Sequence, residues 1–509
     1  MKKYSDLEYL RLPKWKRFLY TLVCIICGIP GGIWNGIKKA GAAIANFFVS
    51  IKDDIVDIGS TFIHGDWKTK ISFVIMGFGS IARGQILRGL LFFLFEAVFI
   101  VYMFFGGAYW LSMLGTLGTQ GPEMIYNEIY DLEVPVYHDN SFKILLYSVL
   151  TLFFIVAFIY TWRLNIRQNK ISEQIIKSGK KLKSGKQDLR SLVDDNFHAT
   201  LLALPITGIL LFTVMPIVFM ILVAFTNYDS YHNGYTNQLF TWVGLENFNT
   251  VLSWSSSSGT YDATFGEILS WTLIWAFFAT FSNYFLGMLV AMMINKKGIK
   301  IKKFWRTCLV LTIAVPQFIS LLYVSKMFAN DGLVNGLLLN LGWIDKPLPF
   351  WTDGTWARIT VIIVNIWIGI PYLMLIATGI LMNIPQDLYE SAKVDGAGPW
   401  KQYTKITLPY MLFVTGPYLL TSFTSNMNNF NVIYLLTGGA PAMSGTSLGG
   451  NPGETDLLVT WLFKMTTASD PAYYNRASVI GIMVFIVVAV ISLVVYNVMP
   501  STKNEEDFQ

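Results

Sequence analysis

Charge is scarce in this chain. Asp, Glu, Lys and Arg make up 14% of its 509 residues, where a soluble domain carries roughly 25%, and 53% are hydrophobic. A water-soluble globular fold is excluded, and the composition implies an all-α polytopic membrane protein. Cysteine is scarcer still: Cys24, Cys27 and Cys308 cannot build a disulfide framework. Cys24 and Cys27 form a C-x-x-C in an apolar stretch with no second ligand pair, so they read as small membrane residues rather than metal ligands. The four histidines, His64, His138, His198 and His232, are scattered. No catalytic residue can be named, which argues against a membrane enzyme. A phosphate-binding loop is missing too, because Gln174 and Lys180 stand where Gly179-Lys180 and Gly185-Lys186 would each need a preceding glycine. The amino terminus shows no short apolar core followed by a small-residue cleavage site, so no cleavable signal is expected.

What the chain does have is long apolar runs. Crossing about 30 Å of hydrocarbon takes roughly 20 residues, and eight runs qualify: approximately 89–112, 143–162, 200–225, 267–294, 305–328, 357–381, 409–435 and 478–499. The connecting segments then sort by charge. Segment 163–198 holds Arg163, Arg167, Lys170, Lys177, Lys180, Lys181, Lys183, Lys186 and Arg190 against four acids, and 296–303 holds five lysines and no acid. Both read as cytoplasmic. Segments 113–142 and 226–266 carry no Lys or Arg and read as external, and 329–356 and 436–477 follow them. Both termini and 382–408 are then cytoplasmic. With little aromatic interleaving, the basic run reads as a solvated loop that sets topology rather than as a nucleic-acid patch or anionic-lipid site.

The chain so divides into an N-terminal cytoplasmic or interfacial region, 1–88; three peripheral spans, 89–225; an external loop, 226–266; a core, 267–499; and a cytoplasmic tail, 500–509. Within the first region, 18–37 is broken by Gly28-Ile29-Pro30-Gly31-Gly32, and a re-entrant or surface-lying element is expected. Ser80 to Arg88 reads as an interfacial helix with Arg83 and Arg88 at the lipid headgroups.

The segment Ile384 to Pro409 is polar and turn-rich between two apolar spans. Pro385 suits a first helical turn with Asn383 as cap, and Gly396, Gly398 and Pro399 end the helix about a dozen residues on. The resulting rod, over 384–398, is too short to span and too polar to bury in lipid. It fits a shallow groove on a cytosolic partner, or a plain amphipathic connector. In the seventh span Ser422, Ser425, Asn426 and Asn429 fall at i, i+3, i+4 and i+7 and form one polar stripe. In the sixth, Asn365, Ile368, Gly369 and Tyr372 make a similar face beside Pro371, which can bend the helix. Neutral amides, hydroxyls and aromatic rings suit an uncharged sugar, while helix-to-helix glue is the alternative. Carboxylates or basic residues suited to an ion path are scarce in the spans, apart from Glu96, Glu267 and Lys326 near span ends. An ion-coupled secondary transporter would also show an internal repeat, and none is visible.

The run Glu390-Ser391-Ala392-Lys393-Val394-Asp395-Gly396-Ala397, followed by Ile406-Thr407-Leu408-Pro409, closely resembles the EAA loop of ABC importer permeases. WVGLENF (Trp242 to Phe248) and DGLVNGLLLNLG (Asp331 to Gly342) resemble further family motifs. The resemblance covers about 240–500 and is strongest to the larger permease subunit of maltose and maltodextrin importers. It implies an ABC importer (type I) permease core, with Glu390, Ser391, Ala392, Asp395, Gly396 and Ala397 on a coupling helix that sits in a cleft of a cytosolic ATPase dimer. It also implies a second, homologous permease subunit and an extracellular sugar-binding protein received by 226–266 and 436–477. No cofactor is expected in this chain, Mg-ATP being held by the ATPase. The sugar contacts it implies fall on Gly369, Tyr372, Ser422, Asn426 and Asn429. Ser425 stands where the family motif has an aromatic residue, removing a stacking platform. Segment 226–266 is too short for the large external domain of some enterobacterial relatives, as expected for a Gram-positive cell. Gly438 to Pro452, rich in glycine and serine, reads as an adaptable contact loop or a disordered connector.

Overall fold

The computed structural model describes residues 49–498 except 130, 183, 184, 186, 188, 189, 192, 193, 195, 196, 253–260, 297 and 445–447, together with 38, 41, 42, 45 and 46. The expected element at 18–37, Cys24 and Cys27, and the tail 500–509 lie outside the described residues. The chain divides into two compact units, Met1–Gly244 and Leu245–Gln509.

In the first unit three helices are long and apolar enough to span: α1 (Ile86–Met113), α2 (Ser141–Lys177) and α3 (Phe197–Val223). Between α1 and α2 an antiparallel hairpin, β1 (Glu123–Asn127) and β2 (Leu132–Val136), pairs Ile125 with Val134. Hydropathy alone shows no sign of it. At 37 residues, α2 is about 55 Å long and runs well past its apolar part. Residues 163–177, expected as a solvated loop, therefore continue the helix. Its polar face, Trp162, Asn165, Asn169 and Glu173, grips the segment before α1. Trp162 Nε1 donates to the Phe73 carbonyl at 2.9 Å, Asn165 Nδ2 to the Ser72 carbonyl at 2.9 Å, and Gly77 N to Asn165 Oδ1 at 3.0 Å.

Arg83 is the main correction here. Its side chain is 1% exposed rather than at the headgroups, donating to Asp66 Oδ1 at 2.5 Å and to Asn169 Oδ1 at 2.7 Å. Residues 82–85 are turn rather than helix, because Gly84 adopts φ +87°, a conformation that favours glycine. Burial alone would raise Asp66, but the side-chain and backbone bonds from Thr69 and the Arg83 charge outweigh it and hold the carboxyl below its ordinary value. Arg88 donates to Gln168 Oε1 at 2.9 Å. Acids also neutralise part of the basic run: Arg163 pairs with Asp54 at 2.5 Å, Lys177 with Glu173 at 2.6 Å, and Lys170 with Asp57.

The second unit is built on α4 (Tyr261–Asn295), which packs along α7 (Gly354–Leu381) and against α9 (Pro399–Met427). Small residues allow this approach: a Cβ on Gly287 would fall 2.7 Å from Leu373 Cβ. The expected fifth span is broken into α5 (Lys302–Ala314) and α6 (Gln317–Met327), bent by 90°. Pro316 lacks an N–H and forces Val315 out of the helical region, to ψ 127°. The seventh span is shorter than the run 409–435. It stops at Met427, and α10 (Phe430–Leu436) starts afresh. The last span is α12 (Tyr474–Val498).

Two apolar clusters flank the middle of this unit. One contains Trp275, Ala279, Leu321, Val361 and Val364, the other Tyr284, Met288, Leu373, Met374 and Met411. Along α4 the switch between them falls at Asn283, and along α7 between Asn365 and Gly369. A polar level lies between two apolar ones.

Candidate functional site

A cavity of about 570 Å³ occupies that polar level. Asn283 of α4, Asn365, Gly369 and Tyr372 of α7, and Tyr418, Ser422 and Asn426 of α9 line it, and the α5–α6 bend contributes Thr312 to Gln317 and Ser320. The bend at Pro316 turns backbone and polar side chains toward the space a straight helix would cover with apolar ones. No Asp, Glu, Lys or Arg lines it. Such a wall can take hydrogen bonds from and give them to a neutral polyol, and it offers no ion a countercharge.

Four of the six sequence-named sugar positions, Gly369, Tyr372, Ser422 and Asn426, meet at this cavity. Ser425 is exposed and not part of its lining. Asn429 turns its oxygen to the α10 backbone, accepting from Val432 N at 3.3 Å, and its nitrogen to Asn426 Oδ1 at 3.3 Å. It caps a helix and steadies a neighbour. Asn428, off the polar stripe, donates to its own helix at the Thr424 carbonyl, 3.3 Å away. Asn426 is held on three sides: its Nδ2 donates to Thr280 Oγ1 at 3.0 Å, its Oδ1 accepts from Asn429, and its carbonyl accepts from Trp275 Nε1 at 3.1 Å.

Asn283, Gln317 and Ser320 were not singled out from the sequence. The signals were an amide inside the fourth apolar run and a proline in the middle of the fifth. Asn283 Nδ2 donates to the Ala279 carbonyl at 2.8 Å, which leaves its Oδ1 without a partner, as is Asn365 Nδ2. Both residues are deeply buried, 7% and 6% exposed. A buried amide atom left unpaired is costly, and both atoms are closed to solvent among the described residues, so a polar guest reaches them only when the wall opens. Gly369 makes room for one of them, because a Cβ there would lie 2.3 Å from Asn283 Nδ2.

On the segment after α7, α8 (Gln386–Val394) is shorter than expected. Pro385 is its N-cap residue, with ψ 132° and no side-chain cap, so Asn383 does not cap it. Asp387 in the first turn and Lys393 in the last match the helix dipole. Gly396 ends it with φ +73°. Glu390, Ser391, Asp395 and Gly396 are exposed, while Ala392 and Ala397 are half-buried. Large apolar side chains stand out beside them: Val394 is 88% exposed and Trp400 75%. Such a patch marks a contact with protein or with the membrane interface.

Within segment 436–477 specific bonds hold the described residues. Among the described residues, Met443 N donates to the Pro452 carbonyl at 3.0 Å and Glu454 N to the Pro441 carbonyl at 2.7 Å. Helix α11 (Leu458–Thr467) buries Leu458, Trp461 and Met465. Arg358 Nε donates to the Glu454 carbonyl at 2.7 Å, and Lys464 Nζ pairs with buried Asp456 at 2.7 Å. Burial pushes the Asp456 carboxyl up, only partly offset by Lys464 and the bonds from Gly453 and Thr460.

Residues 283–502 match the family described as binding-protein-dependent transport system inner membrane component. The chain is 33% identical over 438 residues to the maltodextrin transport system permease protein MalC of Streptococcus pneumoniae, covering 84% of this chain and 95% of that protein. It is 33% identical over 434 residues to the galactooligosaccharides transport system permease protein GanP of Bacillus subtilis, covering 85% and 97%. To the maltose/maltodextrin transport system permease protein MalF of Escherichia coli it is 35% identical over 254 residues, 50% of this chain and 48% of that one. Matched along almost the whole length of MalC and GanP and carrying a polar cavity between its spans, the chain belongs to the inner membrane components of binding-protein-dependent transport systems, the permeases of ABC importers.

Proposed function

We propose that this permease conducts neutral oligosaccharides, maltodextrin first, and is driven by ATP hydrolysis in a separate cytosolic ATPase dimer. The observation that carries this reading is the cavity's uncharged polar lining, with the amides of Asn283, Asn365 and Asn426 beside the hydroxyls of Tyr372, Tyr418 and Ser422. Sugar hydroxyls both donate and accept, so they suit such a lining. The similarity to a maltodextrin permease supports the choice of sugar, and the similarity to GanP supports galacto-oligosaccharide as the second reading.

In this reading a second, homologous permease subunit completes the path and an extracellular binding protein delivers the sugar. No catalytic residue, metal or nucleotide site is assigned to this chain. The exposed face of α8, with Glu390, Ser391, Asp395 and Gly396, docks on the ATPase. When ATP closes the ATPase pair, α8 moves with it and the spans rock to open the cavity outward, and hydrolysis resets them inward. Both termini lie in the cytoplasm of a Gram-positive cell.

The test is the sugar profile that stimulates ATP hydrolysis by the reconstituted complex with its binding protein. Maltodextrins are expected to stimulate most, and Asn426→Ala to cut their import at least tenfold, the scale of one or two lost hydrogen bonds at about 1 kcal/mol each. A profile led by galacto-oligosaccharides selects the second reading. Import that follows an imposed ion gradient without ATP overturns both.

A further inference from the structure

Helix α8 faces outward along most of its length, yet Tyr389 turns in. Its hydroxyl lies 2.9 Å from Thr407 Oγ1, and Thr407 is buried, 4% exposed. Thr407 ends the π-helical turn Tyr403–Thr407 inside α9. Of the nine residues of α8, Tyr389 is the one whose side chain hydrogen-bonds to the next span among the described residues.

We infer that Tyr389 is a positioning residue for coupling: its bond to Thr407 carries displacement of α8 into α9 and so to the cavity. The inference rests on the reading of α8 as the ATPase-docking helix. The covalent route cannot carry that displacement well. From Val394 to Thr407 the backbone passes Gly396 at φ +73°, then Gly398 and the π-turn. Glycine tolerates wide changes of φ and ψ, and a π-turn departs from the regular helical ladder, so movement at Glu390 would dissipate in 395–407. Gln402 Nε2 does tie to the Ala397 carbonyl at 2.7 Å, but this closes the turn without gripping α8. The Tyr389 hydroxyl bypasses the turn.

Beyond Thr407 the path is one continuous helix. Leu408–Met427 carries Pro417 within it, and Ser422 lies about 22 Å along from Thr407. Two side-chain bonds and one to backbone lash it to α4: Tyr284 OH with Thr415 Oγ1 at 2.9 Å, Asn426 Nδ2 to Thr280 Oγ1 at 3.0 Å, and Trp275 Nε1 to the Asn426 carbonyl at 3.1 Å. A shift of Thr407 therefore moves α9 and α4 together. Ser422 and Asn426 on α9 and Asn283 on α4, with α7 packed on α4, then change their spacing from the α5–α6 bend across the cavity.

The experiment measures sugar imported per ATP hydrolysed by the complete complex in proteoliposomes, with assembly checked by co-purification. That ratio is unmoved by poor assembly, which lowers import and hydrolysis together. Tyr389→Phe removes the hydroxyl alone and is expected to lower the ratio about fivefold or more, the low end of usual coupling effects. Thr407→Val is expected to do the same, the double variant to be no worse than either, and Thr407→Ser, which keeps the hydroxyl, to hold the parental ratio. Parental ratios in both Tyr389→Phe and Thr407→Val overturn the inference. Glu390→Lys separates the two levels. If it uncouples while Tyr389→Phe does not, the inference alone fails, and if neither uncouples, the docking reading of α8 fails with it.

Discussion

Gly369 shows how a residue can matter to a sugar site through another side chain. A methyl group there would collide with the amide of Asn283, which has nowhere to withdraw because its Nδ2 is bonded to its own helix. Gly369→Ala is expected to destabilise the protein by about 1–3 kcal/mol, the usual scale for overpacking, and to reduce import as the Asn283 oxygen is displaced. Thermal unfolding of the purified protein and sugar uptake in proteoliposomes check the two parts. Sequence comparison with the family could name Gly369 but not why it is glycine, because Asn283 lies 86 positions away and only the packing of α4 on α7 brings them together.

Asp66 and Arg83 offer a second residue-scale test. Asp66 has its folded value below the unfolded one, about 3.9. Its contribution to stability is therefore complete above about pH 4 and is lost as pH falls through the folded value. The melting temperature in detergent is expected to drop on acidification below that point, and Asp66→Asn to flatten the drop. Arg83→Met leaves Asp66 without its cation and is expected to lower stability by about 3 kcal/mol, toward the low end for buried pairs because Asp66 is itself partly exposed.

At the scale of elements, most spans were legible as apolar runs because length and hydropathy are local properties. The break between α5 and α6 was not, since a window average passes over one proline, and neither was α11. Its Trp461 and Met465 are covered by protein rather than lipid, so the surrounding polar loop masked it. Helix α8 was legible as a helix because Gly396 and its charges are local signals, but its inner and outer faces were assigned only by folding. Two of the six residues named for docking, Ala392 and Ala397, are half-buried, and the exposed Val394 and Trp400 went unnoticed. If the outer face seats on the ATPase, Glu390→Lys should sharply reduce sugar uptake while the permease still inserts and folds. Uptake and co-purification with the ATPase measure this, and normal uptake would remove α8 from the coupling path.

At the scale of the whole molecule, composition and the apolar runs determined by themselves that this chain lives in a membrane, and the Glu390 to Pro409 pattern pointed to the kind of machine it serves. These follow from the sequence because the solvent of each segment and the spacing along a helix are written in consecutive residues. The cavity was decided by tertiary structure. It needed Pro316 to break a span, Gly369 to admit Asn283, and Asn429 to turn from the presumed sugar face to cap α10. Pro316 and Asn429 act on near neighbours in the chain, but only long-range packing, as of Gly369 against Asn283, sets these parts around one space, through close packing and the need of buried amides for partners.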